Sequence, residues 1–545
     1  MKDEPLQETL EIKKEEQRKV EERSRIFLYP SLQTTIQLIR EGRKPDFDKK
    51  NYIVETIYNE IFIAMESIGG VKFFYDNNSE YIFHKANKLI IRVDREERDF
   101  RAFIFAMGIN PADTLFDYIL SGLKIHVRNM GVKIELKRLI HYDIKKNALY
   151  IKNGNGIVKI TKDKVETVDN GTDNIFFINE VEHEAFEIEE AKENYVQKHL
   201  IGNLNFEIDN LTAEETRFVL EAWIYSLFFE EIQPTKPILT FWGEKGSGKT
   251  VTLQKIGSFL TGRDYDVSPL TADEKDLKTS LINSRFFFID NADKHYSWFA
   301  NLLALTATGQ KIKLRKLYTD SVELSYPIKC FIGITTRTPT FNRDDVCDRT
   351  ILVRVKRFED FIPEKSILNG LYKNRDKIWG FVIKRLQMIL ADLEAPAVEN
   401  CTFRMADFYN FIHLTHKTIN PKVNVKDLFK KLEEEQNALF RDGDILAELL
   451  EEWLDREANL GRSMTTSELY LEIKGLWEQK GNKDFIYKSA IGFGKALVNT
   501  IQLFRGKYRV LCQKGAGRKK EYQFNRIDAV SRTCELFNGK VQGEK

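Results

Sequence analysis

Apolar and polar positions change period several times along the chain, and the changes mark its elements. Between residues 26 and about 190 the runs are short and strand-like: Val71-Lys72-Phe73-Phe74-Tyr75, a polar Asp76-Asn77-Asn78-Ser79 turn, Tyr81-Ile82-Phe83 and Lys88-Leu89-Ile90-Ile91. Helical spacing covers Thr114–Met130, and Asn153-Gly154-Asn155-Gly156 predicts a turn between Ala148-Leu149-Tyr150-Ile151 and Ile157-Val158-Lys159-Ile160. Residues 191–236 predict helix, with Thr212-x-x-Glu215 as a capping box and Pro234 and Pro237 as the stop. Three buried strands are then expected: Pro237 to Trp242, Arg285 to Asp290 and Lys329 to Ile334. Each is an unbroken apolar run of the kind covered on both faces in a parallel sheet. A further strand spans Thr350–Val355, and residues 358–460 predict helices. From Thr465 two helical segments precede two strands, Lys507 to Cys512 and Glu521 to Phe524. Their basic, glycine-containing connection predicts a winged helix.

Composition changes this outline in two places. The 545 residues carry a net charge of only +2, so the whole chain is no polycation. Residues 463–545, however, hold 16 Lys and Arg against 8 Asp and Glu, a local excess that favours DNA over a protein-binding wing. Residues 1–25 are dominated by Glu, Lys, Gln and Arg and predict a charged arm. The five cysteines show neither metal spacing nor a disulfide framework, and His126 and His141 stand alone as structural residues. Without an apolar run near 18 residues or a signal-peptide pattern, a soluble cytoplasmic protein with no membrane partner is expected.

The clearest chemistry is Phe241-Trp242-Gly243-Glu244-Lys245-Gly246-Ser247-Gly248-Lys249-Thr250, a G-x-x-x-x-G-K-T loop between a strand and a helix that continues through Val251. Gly243, Gly246 and Gly248 let backbone amides approach a phosphate. Lys249 reaches the β- and γ-phosphates of ATP, and Thr250 offers a hydroxyl to Mg²⁺. Asp290 ends the second apolar strand, where an Mg²⁺ ligand is needed. The next residue is Asn291, so either Asp293 supplies a carboxylate to the attacking water or Asn291 only orients it. The third strand ends in Thr335-Thr336-Arg337-Thr338-Pro339, where a polar residue can sense the γ-phosphate or position the water. Lys311, Lys313 and Arg315 alternate with Ile312 and Leu314, Lys316 follows, Leu317-Tyr318-Thr319-Asp320 can form the turn and Val322-Glu323-Leu324 the return strand. This is either a solvated ribbon or a basic hairpin suited to a phosphate backbone and stacked bases. Arg343 and Arg349 are either surface ion-pair partners or fingers offered to a neighbouring copy's nucleotide. In the C-terminal connection Lys514, Arg518, Lys519 and Lys520 are the DNA-binding candidates.

In this order the motifs resemble the superfamily 3 helicases of the AAA+ ATPases, a group that includes poxvirus- and phage-type primase-helicases and papillomavirus and polyomavirus helicases. The strings R-K-L-Y-T and T-x-R-T-P-x-F-x-R-x-D-V-x-D-R carry the likeness, which spans about residues 60–530 and is specific over 238–357. Asn291 is the main departure. The resemblance implies an α/β chain divided as follows: an arm (1–25), a mixed α/β N-terminal domain (26–190), a helical linker (191–236), a P-loop ATPase core (237–357), a helical lid (358–460), a winged helix (461–530) and a tail (531–545). It further implies a hexameric ring and ATP-driven travel of the hairpin along single-stranded or forked DNA. It makes Thr336 the sensor and Arg349 the favoured finger. Arg404 is either a second-sensor candidate or a charged residue at the edge of the core, and a separate primase or other replisome proteins are candidate partners. A virus, plasmid or integrative element is the implied setting. An ATP-switched origin-binding protein or loader that does not unwind would use the same parts.

Overall fold

The chain described here is a computed structural model covering residues 63, 65 and 70–526, without 107–108, 113, 180–182, 295, 316–322, 338, 340, 342, 398–400, 402, 443–444, 481–484, 486, 505–506 and 515–519. The arm (1–25) and the tail (531–545) expected from the sequence lie outside these residues.

The N-terminal half holds two small sheets. The first comprises β1 (Val71–Tyr75), β2 (Glu80–His84), β3 (Leu89–Arg92) and β4 (Val132–Lys133) in the order β3-β2-β1-β4, with helices α1 (Arg98–Ala106) and α2 (Thr114–Met130). Its first turn closes because Asp76 Oδ1 accepts the amides of Asn78 and Ser79, each at 2.7 Å. The second is an antiparallel meander of β5 (Ile140–Asp143), β6 (Ala148–Asn153), β7 (Gly156–Ile160) and β8 (Val165–Asp169). His141, expected to be structural, sits on β5 with Nδ1 2.8 Å from Glu231 Oε1.

The linker is a π-helical turn, Val196–Ile201, followed by α3 (Ala213–Ser226). The Thr212 hydroxyl accepts the Glu215 amide at 3.2 Å, while the Glu215 carboxylate takes the Thr212 amide at 2.8 Å. This pairing starts α3, which buries Phe218, Leu220, Trp223 and Tyr225 almost completely and forms the middle of the core rather than a surface spacer.

A five-stranded parallel sheet follows: β9 (Ile238–Gly243), α4 (Lys249–Thr261), β10 (Ser268–Pro269), α5 (Glu274–Asn283), β11 (Phe286–Asp290), α6 (Phe299–Ala307), β12 (Lys311–Arg315), β13 (Glu323–Pro327), β14 (Phe331–Thr336), α7 (Asp344–Cys347) and β15 (Thr350–Val355). Its order is β10-β11-β14-β9-β15. All six residues of β14 are buried, as a central strand requires. β12 and β13 form an antiparallel hairpin outside this sheet, emerging at the amino end of β14.

Helices α8 (Glu364–Asp392), α9 (Ala406–Ile419), α10 (Val425–Asp442) and α11 (Ile445–Leu454) come next. The chain then forms β16 (Met464–Thr465), α12 (Thr466–Gln479), α13 (Ala490–Thr500), β17 (Tyr508–Lys514) and β18 (Lys520–Arg526), with the antiparallel order β16-β18-β17. This unit has its own core of Ile473, Phe493, Leu497, Tyr508 and Phe524. Leu446, Leu450 and Trp453 of α11 join it, ahead of the boundary at 461 read from the sequence. The described chain is thus a mixed α/β protein with a parallel sheet and several helices. No helix among the described residues is long and apolar enough to cross a membrane.

Candidate nucleotide site and its distant arginines

The carboxyl ends of β9, β11 and β14 converge, and their last residues meet the start of α4. A crevice there is the expected ligand position in a parallel sheet. A cleft of 590 Å³ lies at this point, lined by residues 245–251 together with Asn291, Asp293, Lys294, Arg337 and Glu364.

Gly246 and Gly248 both take φ 81°, the left-handed conformation that frees the loop from strand geometry and lets α4 begin at Lys249. Gly243 is needed for a different reason: a Cβ there would lie 2.0 Å from the Val355 carbonyl oxygen of the neighbouring strand. Lys249 is buried and folds back on the loop, with Nζ donating to the carbonyls of Gly243 and Glu244 at 2.7 Å each and to Ser247 Oγ at 3.2 Å. Burial lowers its pKa, and the charges of Asp293 and Asp290 partly oppose that. Lys245, Thr250 and Glu244 are exposed at the loop surface, and Val251 lines the cleft behind them.

Asp290 is the centre of a hydroxyl cluster. Its Oδ1 accepts from Thr250 Oγ1 at 2.6 Å and from Thr335 Oγ1 at 2.5 Å, and its Oδ2 accepts from Asn291 Nδ2 at 2.9 Å. Asn291 takes φ 52°, and its amide donates to Thr335 Oγ1 at 3.0 Å. One carboxylate and one hydroxyl facing a cleft is the donor set that suits Mg²⁺, whose remaining positions go to phosphate oxygens and water. Among the described residues no group of three or more His, Cys, Asp or Glu side chains could hold a metal by itself. Asp293 belongs to a separate pair: it accepts from Thr336 Oγ1 at 3.0 Å, from the Arg337 amide at 2.6 Å and from Arg337 Nε at 2.8 Å.

Thr335 and Arg337 were not singled out in the sequence, which pointed to Thr336 alone. Successive residues of a strand face opposite ways. Thr335 therefore meets Asp290 while Thr336 meets Asp293, and the signal lay in the whole polar string after Ile334. Lys294 and Glu364 carried no motif.

The two finger candidates stand elsewhere. Arg349 immediately precedes β15, and its carbonyl accepts the Ile238 amide at 2.8 Å, so it lies at the amino end of the sheet. Five strand steps, about 17 Å, separate that end of β9 from Gly243. Arg349 Nη1 donates to the Asp345 carbonyl, while its buried Nε has no hydrogen-bond partner. Burial lowers its pKa, with nearby Arg404 adding to the effect. Arg343 is paired with Asp345, through Nε at 2.9 Å and Nη2 at 2.5 Å. Arg404, the second-sensor candidate, binds Asp348 at 2.8 Å on this arginine face instead of in the cleft.

In the hairpin, Lys311 and Lys313 are exposed and Ile312 is buried, and Arg315 ends β12 opposite Glu323. Lys316 and Tyr318 lie outside the described residues. In the C-terminal hairpin Lys514 pairs in register with Lys520, which is exposed, while Arg518 and Lys519 lie outside the described residues.

No family model matches this chain, and no curated protein does. Among solved structures it is similar to the A-form apo structure of the NrS-1 C-terminal region, at TM-score 0.42 and 11% identity over 86% of this chain and 99% of that one. Two further apo structures of the same region give TM-score 0.37, at 12% and 11% identity, covering 85% and 86% of this chain and 98% of theirs.

Proposed function

We propose that the chain is an ATP-dependent DNA helicase that works as a ring, with an AAA+ core of the superfamily 3 type over 237–357 and a winged helix over 461–530. One observation carries the reading: Lys249, Thr250, Asp290 and Asp293 gather at the carboxyl ends of the strands, while Arg349 stands at the amino end. Arg349 cannot serve the cleft of its own copy, but a second copy could present it there, and repeating that contact six times closes a hexamer.

In this mechanism Lys249 leaves the loop carbonyls for the oxygens of ATP. Mg²⁺, held through Thr250 and Asp290, would neutralise phosphate charge. Asp293 fixes Arg337 beside the γ-phosphate, and Arg349 of the adjoining copy stabilises charge as the phosphoryl group is transferred to water. The hairpin bearing Lys311, Lys313, Arg315, Lys316 and Tyr318 would face the central hole and hold one strand of forked DNA by its backbone and bases. A primase, where one is needed, would be a separate chain.

A forked-duplex unwinding assay tests this. Strand separation should require ATP and vanish in Lys249→Ala and in Arg349→Ala, the second of which still binds nucleotide. ATP hydrolysis without strand separation would move the reading to an ATP-switched loader or origin-binding protein.

A further inference from the structure

The segment between β15 and α8 crosses the glycine loop as a strap. The Lys356 amide donates to the Asn205 carbonyl at 2.7 Å, Asn205 Nδ2 to the Arg357 carbonyl at 3.3 Å, and the Phe358 amide to the Gly246 carbonyl at 3.1 Å. Two aromatic rings come down on the loop glycines. A Cβ on Gly248 would be 3.0 Å from Phe358 Cε2, and one on Gly246 would be 2.8 Å from Phe361 Cε1. Phe358 is half-buried, whereas Phe361 is 58% exposed and its neighbour Ile362 59%. Phe361 is left in water and forgoes the burial that normally fixes such a ring.

Its position relative to the cleft gives the exposed ring a use. The phosphate-binding end is set by Lys249, Thr250 and Asp290, with Asn291, Asp293 and Arg337 beyond it. Glu364, at the start of α8 and three residues after Phe361, also lines the cleft, and the Phe361 ring lies against Gly246 of its lining. A nucleoside triphosphate held by the loop with its γ-phosphate near Asp293 would extend its base past the loop toward the strap that crosses it. Arg357 stands over the Phe361 ring with Cζ 5.6 Å from its centroid, and the ring tip rests on Gly246.

Resting on the nucleotide reading above, we infer that Phe361 is the platform on which the base of the bound nucleoside triphosphate stacks, and that the site accepts purine triphosphates without selecting adenine. Stacking on an aromatic face does not read the hydrogen-bonding edge of a base, and the side-chain amide of Asn205, which packs against the strap, is committed to the Arg357 carbonyl.

Calorimetric titration of the full chain with ATP, GTP and inorganic tripolyphosphate, each with Mg²⁺, tests this on the wild type, Phe361→Ala and Phe361→Trp. Phe361→Ala should weaken ATP and GTP by about tenfold, leave tripolyphosphate unchanged, and be rescued by Phe361→Trp. The wild type should bind ATP and GTP within about threefold of each other. Equal loss for tripolyphosphate would make Phe361 a support of the loop, unaltered ATP binding would remove it from the site, and a preference for ATP of about tenfold or more would contradict the lack of selection. A wild type that binds tripolyphosphate but gains nothing from a base overturns this inference alone. Failure to bind any of the three ends the nucleotide reading itself.

Discussion

Lys255 shows how one residue can set the pH response of the core. It lies on the helix behind the glycine loop, fully buried, with no hydrogen-bond partner for Nζ, and burial lowers its pKa from 10.5 to about 7. Between those values the unfolded chain binds a proton that the folded chain refuses, so stability rises with pH across that window and is flat below it. Lys255→Met should therefore stabilise the protein at pH 7 by on the order of 1–3 kcal/mol. In urea melts compared between pH 7 and pH 9.5, the gain over wild type should shrink as pH rises. A gain that grows with pH would have the sign wrong. At the same scale, Asp290→Asn keeps the shape of the hydroxyl cluster but removes its charge, and should lower ATP hydrolysis by roughly a hundredfold or more in steady-state assays, with nucleotide still bound. The strand, glycine loop and helix around residues 243–250 were legible because the motif has a fixed spacing. Thr335 and Arg337 were not, because their partners Asp290 and Asp293 are more than forty residues away and meet them only through strand pairing.

Among the elements, strands with unbroken apolar runs and helices with a capping box were legible from local pattern, as in β11, β14 and α3. Packing between distant segments was not. Residues 184–189 follow the second small sheet, yet they are strapped to α8. Phe186 stacks on Trp379 with ring centroids 3.9 Å apart, and Arg375 donates to the carbonyls of Phe259, Ala185 and Glu184. Gly380 permits this approach, since a Cβ there would lie 1.7 Å from the Glu189 carbonyl oxygen. Nothing in a helical pattern marks such a glycine, because the constraint comes from another chain segment. Gly380→Ala should cost about 2–3 kcal/mol, read as a lower melting temperature and faster proteolysis within 180–190. A melting temperature equal to wild type would show that the strap yields freely. For the hairpin, changing Lys311 and Lys313 together to Ala should spare nucleotide binding and basal hydrolysis while weakening single-stranded DNA binding and its salt dependence. DNA affinity unchanged across a salt titration would take β12 out of the nucleic-acid path.

For the whole molecule, the proposed reading makes the separation of Arg349 from the cleft the reason why one copy alone would hold an incomplete site. The sequence contained both the glycine loop and Arg349 but no measure of the distance between them, which follows from the parallel pairing of β9 and β15. The sheet also sets the hairpin and Arg349 at the same end, away from the glycine loop, so in the proposed ring a contact between copies through Arg349 would move with the basic ribbon. The most direct measurement is an electron-microscopy reconstruction of the protein with a non-hydrolysable ATP analogue and forked DNA. A closed ring is expected, with the Arg349 guanidinium within hydrogen-bond reach of the γ-phosphate held by the neighbouring copy's Lys249 and with residues 311–327 around the DNA strand. A nucleotide-bound monomer, or a ring that carries residues 311–327 on its outer rim, would contradict the account.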